Sequence, residues 1–365
     1  MTPSTRSKSR SSSKDVVRAA PKKHPRTGVK VHAPGRVREP WEALPVPEIG
    51  SIELGGKARP HPELGLGLWA LGRWTTEDEA RTKATIGRAY ERGIRWFDTA
   101  EVYGNGESER IIGRLLDEDG EHRSRIVVAT KFMPFPWKLA LTSSLLTSLR
   151  ASLERLRLPA VHLYQIHGPI SVRSHAAMAE ALAAARQAGL IRAVGVSNYS
   201  EREMRAIHAA LARHGVPLAT NQIEFSLLRR MPESNGLLRA CVELGVLVLA
   251  YSPIGQGRLT GKYSASNPPP GQRNFSAFPM AEIDPIVAEL RRLGAAHGGK
   301  TPAQVALNWV ICKGAIPIPG AKTREQAEQN AGALGWRLSA DEVETLDRVS
   351  KPGQRKLMHR IWQHG

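Results

Sequence analysis

Trp96-Phe97-Asp98-Thr99-Ala100-Glu101-Val102-Tyr103-Gly104 begins with large apolar residues and turns polar at Asp98. The same change recurs at Ile126-Val127-Val128-Ala129-Thr130-Lys131 and at Leu163-Tyr164-Gln165-Ile166-His167-Gly168-Pro169. Short apolar runs bounded by polar or turn residues read as buried strands. In a parallel α/β barrel every strand ends on one face, so polar groups that close separate strands converge although far apart in sequence. Asp98, Tyr103, Lys131 and His167 are therefore candidates for one assembled site.

Outward from these segments, strands and helices alternate. Residues 64–68 form a first strand, followed by a helix with a capping signal at Thr76 and Glu79 and a stop at Gly93. Strands follow at 95–98, 126–130, 161–166, 191–196, 220–225, 246–250 and 316–318, and Leu145, Leu149, Leu153 and Leu156 mark the buried stripe of a helix. Ser200 with Glu203 opens another helix, residues 232–244 form one more, and Thr301-Pro302 starts a third with proline at its favoured first position. Eight strands in alternation with helices predict a (β/α)8 TIM barrel over residues 46–365, preceded by a small hairpin at 51–57. Residues 255–285 read as a long irregular connection over the catalytic face.

Composition narrows the function. The net charge of +18 suggests nucleic acid until it is divided, since residues 1–40 hold eleven Lys or Arg against two acids, half of the total. Residues 1–45, rich in Ser, Pro and basic groups, bury too little to repay ordering and are expected to be a disordered tail. That tail reads as a solvated extension, as an organelle transit peptide or as a nonspecific polyanion contact. The expected location is the cytoplasm, or a plastid if the tail is an address. No run reaches the roughly 18 apolar residues of a membrane span, and neither a membrane nor a specific nucleic acid is expected as a partner. The two cysteines, Cys241 and Cys312, lie in apolar surroundings and form no metal-binding pattern, so no metal is expected.

Gly65-Leu66-Gly67-Leu68-Trp69-Ala70 matches a loose dinucleotide pattern, but no helix signal follows its second glycine, which argues against a Rossmann site. Each of the four candidates has a bland role as well: Asp98 a loop cap, Tyr103 a partly buried ring, Lys131 a strand-end side chain reaching for water, His167 a hydrogen-bonded core residue. Together they support coherent chemistry. A phenol is a poor proton donor at neutral pH unless a nearby cation favours its ionised form. Lys131 is that cation, Asp98 holds the ammonium, and His167 orients a carbonyl oxygen toward Tyr103.

At these residues the chain resembles the aldo-keto reductase family. FDTAEVYG, VVATK, LYQIHGP, VGVSNYS, AYSPIG and IPIPGAKTREQAEQN fall in the family's order from about residue 50 to the end. The later text is most similar to the branch of plant plastids and bacteria that includes pyridoxal reductase. The resemblance implies that Asp98, Tyr103, Lys131 and His167 are the catalytic tetrad of an NADPH-dependent reductase of aldehydes or ketones. It implies that Ser197, Asn198 and Gln222 hold the nicotinamide amide, that Tyr251 stacks on its ring and that residues 255–262 close over the pyrophosphate. Trp69, Ser252, Ile254, Gly255, Gly257, Lys262, Gly320, Thr323 and Gln326 join this cofactor set, and Gln329 and Asn330 match adenine contacts.

Lys322 and Arg324, two cations within three residues after the last strand, suit a phosphate and favour NADPH over NADH. Gly320 and Gln326 stand where well-known members carry Lys and Arg, and His162 stands where many have Asp, a structural substitution without a catalytic part. The partner expected is a small carbonyl substrate, and a monomer is favoured. The rival readings are an NADPH-binding accessory subunit of channel type, which would not turn over an aldehyde, and a polyanion binder acting through the tail.

Overall fold

Hydrogen-bonded neighbours in the sheet follow chain order from the first strand to the eighth, and all seven pairings are parallel. The structure is a computed structural model that describes residues 63–70, 76–118, 126–269, 278–351 and 361–365. The tail and the hairpin at 51–57 lie outside the described residues. The strands are β1 (Gly65–Gly67), β2 (Trp96–Asp98), β3 (Val127–Phe132), β4 (Val161–Ile166), β5 (Ile191–Ser197), β6 (Leu218–Glu224), β7 (Leu247–Tyr251) and β8 (Ile316–Pro317). Gly67 bridges Gly320, and its N–H donates to the Pro319 carbonyl at 3.0 Å, which joins the first strand to the chain after the last and closes the sheet into a (β/α)8 barrel.

The glycines of the apparent dinucleotide motif serve that closure. A Cβ on Gly67 would stand 2.8 Å from the Ile318 carbonyl oxygen, so only glycine lets β1 approach the chain after β8.

The helices are α1 (Thr76–Glu91), α2 (Glu107–Glu118), α3 (Leu141–Leu156), α4 (His175–Gln187), α5 (Glu201–Ala212), α6 (Met231–Ser234), α7 (Leu237–Glu243), α8 (Met280–Ala296), α9 (Pro302–Cys312), α10 (Arg324–Ala331) and α11 (Ala340–Val349). The helix starts read at Ser200 with Glu203 and at Thr301 are present, and both are capping boxes in which the side chain accepts from the third helical N–H. Leu145, Leu149, Leu153 and Leu156 are all buried on α3. The side chain of Thr76 lies outside the described residues.

Two expectations change. The helix expected over 232–244 is two, because Gly236 takes the left-handed conformation (φ 85°) between α6 and α7. The connection expected to be irregular over 255–285 instead holds a 3-10 helix at Gly255–Thr260, and α8 begins five residues before Pro285. A proline inside a helix costs about 3 kcal/mol, but Met280, Ile283, Ile286, Val287, Leu290 and Leu293 are buried on the same helix. Six such side chains, at roughly 1.5–3 kcal/mol each, outweigh that cost.

His162 lies just before the first β3–β4 pair, its Nδ1 accepting the Val128 N–H at 3.2 Å, which gives it a structural part. Burial, with Arg192 adding to it, lowers the imidazole from 6.5 to about 4. The unfolded chain therefore takes a proton first as pH falls. Stability from the neutral ring is complete above pH 6.5 and is lost toward pH 4, by about 3 kcal/mol. Urea midpoints at pH 7 and pH 4.5 should diverge in the native chain, and His162→Gln, which keeps an acceptor but does not titrate, should narrow that gap.

Candidate active site

Side chains alternate across a strand, and the register lines up the inward ones. Trp96, Val127, Ala129, Leu163, Leu247, Leu249 and Ile316 form an apolar cluster inside the barrel. Two residues further along their strands the inward positions become Asp98, Lys131 and Gln165, with Lys131 opposite Gln165, Gln165 opposite Gly195, and Gly195 opposite Thr220. The barrel interior thus changes from apolar to polar toward the C-terminal ends of its strands.

Lys131 and Asp98 are 0% and 3% exposed, and the ammonium donates to Asp98 Oδ1 and, at 2.8 Å, to the Thr99 carbonyl. It also donates to the Tyr103 hydroxyl at 3.4 Å. Tyr103 reaches it because its N–H is held by the Ala100 carbonyl at 3.0 Å, and Gly104 and Asn105, both at positive φ, turn the chain immediately afterward into α2. His167, one residue beyond β4, sets its ring edge-on to Tyr103 with centroids 5.6 Å apart. The structure therefore brings all four expected residues together.

Burial is the largest influence on Tyr103, Lys131 and His167. It raises the Tyr103 phenol above its usual value, against the opposing pull of Lys131. This differs from the expectation that the cation would dominate, and it leaves Tyr103 protonated at neutral pH. Burial pulls the Lys131 ammonium down, but Asp98 and Tyr103 more than offset it and the group stays charged. Burial and Lys131 together hold His167 well below 6.5, so its ring is neutral.

The expected cofactor residues gather at the ends of β5 to β8. Ser197 ends β5 and donates to the Gln222 carbonyl at 2.9 Å; Asn198, at φ 64°, donates to Ser197 Oγ and to the His167 carbonyl. Gln222 donates to Asp98 Oδ2 at 2.8 Å, so its amide also supports the buried cluster. Tyr251 ends β7 and donates to Asn198 Oδ1 at 2.8 Å. Ser252, Ile254, Gly255 and Gly257 form the turn that follows, with Ser252, Gly255, Gln256 and Gly257 at positive φ. Lys262 is exposed just beyond it, and Trp69, 59% exposed, sits in the 3-10 turn after β1.

After β8, Thr323 caps α10, with Lys322 and Arg324 exposed on either side. Gln326 accepts the Lys322 N–H at 2.8 Å, while buried Asn330 donates to the Gly320 carbonyl at 3.3 Å and shapes that loop. Gln329 is exposed. A helix start flanked by two cations is a place for an anion. Among the described residues, buried His167 Nδ1 and Gln256 Oε1 have no hydrogen-bond partner, which leaves them available to a ligand. The residues present fit a nicotinamide dinucleotide with a phosphate end at α10.

Sequence reasoning missed the site's floor and its C-terminal wall. Gln165 donates to Asp98 Oδ2 at 3.1 Å and Thr220 donates to Gln165 Oε1 at 3.4 Å. The signal was there, since Gln165 lies midway between Leu163 and His167 on the inward period of two. Trp362 packs edge-on against His167 at 5.5 Å, and Gln363 donates to the Tyr251 hydroxyl at 2.6 Å. No local pattern announces that docking.

Removing one partner of a buried pair leaves an uncompensated charge, which costs about 3–5 kcal/mol. Lys131→Met should lower stability by that order in urea denaturation, and Asp98→Asn added to it should recover most of the loss.

The Aldo/keto reductase family model matches residues 63–351. A chloroplastic pyridoxal reductase of Arabidopsis thaliana is 38% identical over 342 residues, covering 89% of this chain and 90% of its own. A glycerol dehydrogenase structure from Gluconobacter oxydans is similar with TM-score 0.73 and 28% identity, covering 87% of this chain and 99% of its own. An aldo/keto reductase of Klebsiella pneumoniae, solved with NADP and acetate, gives TM-score 0.65 and 28% identity over 82% of this chain and 95% of its own. The chain belongs to the aldo/keto reductase family of oxidoreductases, whose general chemistry is carbonyl reduction.

Proposed function

We propose that this chain reduces an aldehyde or ketone to an alcohol with NADPH, and that Tyr103 delivers the proton. The observation that carries the reading is the single ammonium of Lys131, which contacts both Asp98 and the Tyr103 hydroxyl. Bound NADPH supplies a hydride at the nicotinamide C4. The chain's own part is to hold the carbonyl oxygen and protonate it. Neutral His167 orients that oxygen beside Tyr103, and charged Lys131 stabilises the phenolate left after transfer. Asp98 keeps Lys131 in place.

The rim supports a substrate class. Trp69, Val102, Trp137, Leu139 and Val172, large and exposed, all lie on connections leaving the C-terminal ends of β1 to β4. Trp137 stacks on Phe135 with centroids 4.5 Å apart. Such a rim suits a carbonyl carried on an aromatic or apolar body. Steady-state NADPH oxidation against a panel including pyridoxal, benzaldehydes and glyceraldehyde tests this, with the aromatic aldehydes expected to give the higher kcat/KM. No turnover of any carbonyl would favour an accessory role.

Tyr103→Phe removes the proton donor and keeps the ring. We expect kcat to fall about 10²–10⁴-fold while NADPH affinity, read by fluorescence titration, is nearly unchanged. Replacing Lys322 and Arg324 together with Ala should weaken NADPH by roughly 1.5–3 kcal/mol per charged hydrogen bond lost and leave NADH little changed, with the ratio of the two dissociation constants as readout.

A further inference from the structure

We infer that Gln165 is a positioning residue that acts through Asp98, an inference that rests on the function proposed above. It is fully buried in β4, one layer beneath His167. Each polar atom of its amide is committed. Its Nε2 donates to Asp98 Oδ2 at 3.1 Å, and its Oε1 accepts from Thr220 at 3.4 Å and from Gln222 Nε2 at 3.5 Å.

This arrangement has a fixed sense. The carboxylate oxygen of Asp98 only accepts, which turns the Gln165 NH2 toward it and leaves the Gln165 oxygen to accept from the Thr220 hydroxyl. Gln222 donates to the same oxygen of Asp98, at 2.8 Å. One carboxylate oxygen is thus held by two neutral amides and the other by Lys131. With that oxygen held in place, the other faces the ammonium and keeps Lys131 beside Tyr103.

Gly195 makes the room. A Cβ there would stand 2.2 Å from Thr220 Oγ1 and 2.9 Å from Gln165 Cγ, so β5 must pass without a side chain for β4 and β6 to join their polar groups across it. Three strands are committed to the geometry of one carboxylate. The ionisable groups at this end of the barrel include Asp98 from β2, Glu101 and Tyr103 from the connection after it, Lys131 from β3, His167 after β4, Glu224 at the end of β6 and Tyr251 at the end of β7; Gln165, Thr220 and Gln222 are neutral.

The test compares the native chain with Gln165→Met, Gln165→Glu and Thr220→Val in steady-state kinetics from pH 5 to 9, with NADPH affinity measured separately by fluorescence. Gln165→Met keeps the length of the side chain and removes its donor. We expect its kcat to fall between about 10- and 100-fold with the NADPH dissociation constant within about twofold of native. The acid limb of kcat/KM should move to higher pH in Gln165→Met. It should move further in Gln165→Glu, where two carboxyl groups share a proton, by about one unit or more. Thr220→Val, nearly isosteric, should move it in the same direction by less, and serves if the Gln165 variants do not fold. Superimposable acid limbs, or a fall in kcat matched by an equal loss of NADPH affinity, would overturn the inference while leaving the proposed function intact. A native chain without any carbonyl turnover would overturn both.

Discussion

The buried contact between Lys131 and Asp98 is the interaction around which the upper half of the barrel is organised. Two opposite charges at 0% and 3% exposure are stable only when both are paired and hydrogen-bonded. The Thr99 carbonyl, Gln165 and Gln222 supply the remaining bonds, and Tyr103 takes the ammonium's last contact. Parallel strands from β2 to β6 are therefore constrained by one ion pair as well as by their own ladder. The strand register decides which residues can take part.

Below that layer the interior is apolar, with Trp96 fully buried among Val127, Ala129 and Leu163. This floor keeps water from the ion pair and makes burial the leading influence on Tyr103, Lys131 and His167. The outcome is a protonated phenol, a charged ammonium and a neutral imidazole within one cluster. In the functional reading these are the states required of a proton donor, an electrostatic support and an orienting group. The two halves of the barrel mouth divide the work in that reading, with β1 to β4 carrying the proton chemistry and β5 to β8 the groups proposed to hold the cofactor.

Relatives and solved structures agree with this chain over most of its length in fold and family. Around the site, neutral polar side chains hold the backbone at two structural points. His162 accepts a backbone N–H within the sheet, and Gln326 clips the Lys322 backbone beside α10. Both contacts fix backbone near the site.

The barrel and the four central residues are legible in the chain alone, because strand burial, helix caps and the polar ends of apolar runs are local patterns. Asp98, Lys131 and His167 stand out as residues that break such runs, and Ser200 and Thr301 as helix starts. Gln165 is equally legible in principle, being inward by the period of two, yet nothing local says which neighbour it meets. That depends on the folded barrel, because the partners of an amide follow from the register of β4 with β5 and β6. The same holds for α8, where a buried face outweighs the local veto of Pro285, and for the break at Gly236. It holds most for Trp362 and Gln363, whose contacts with His167 and Tyr251 join residues more than a hundred positions apart. Short-range patterns limit what each segment can be, and long-range packing selects which polar groups end up close enough to act together.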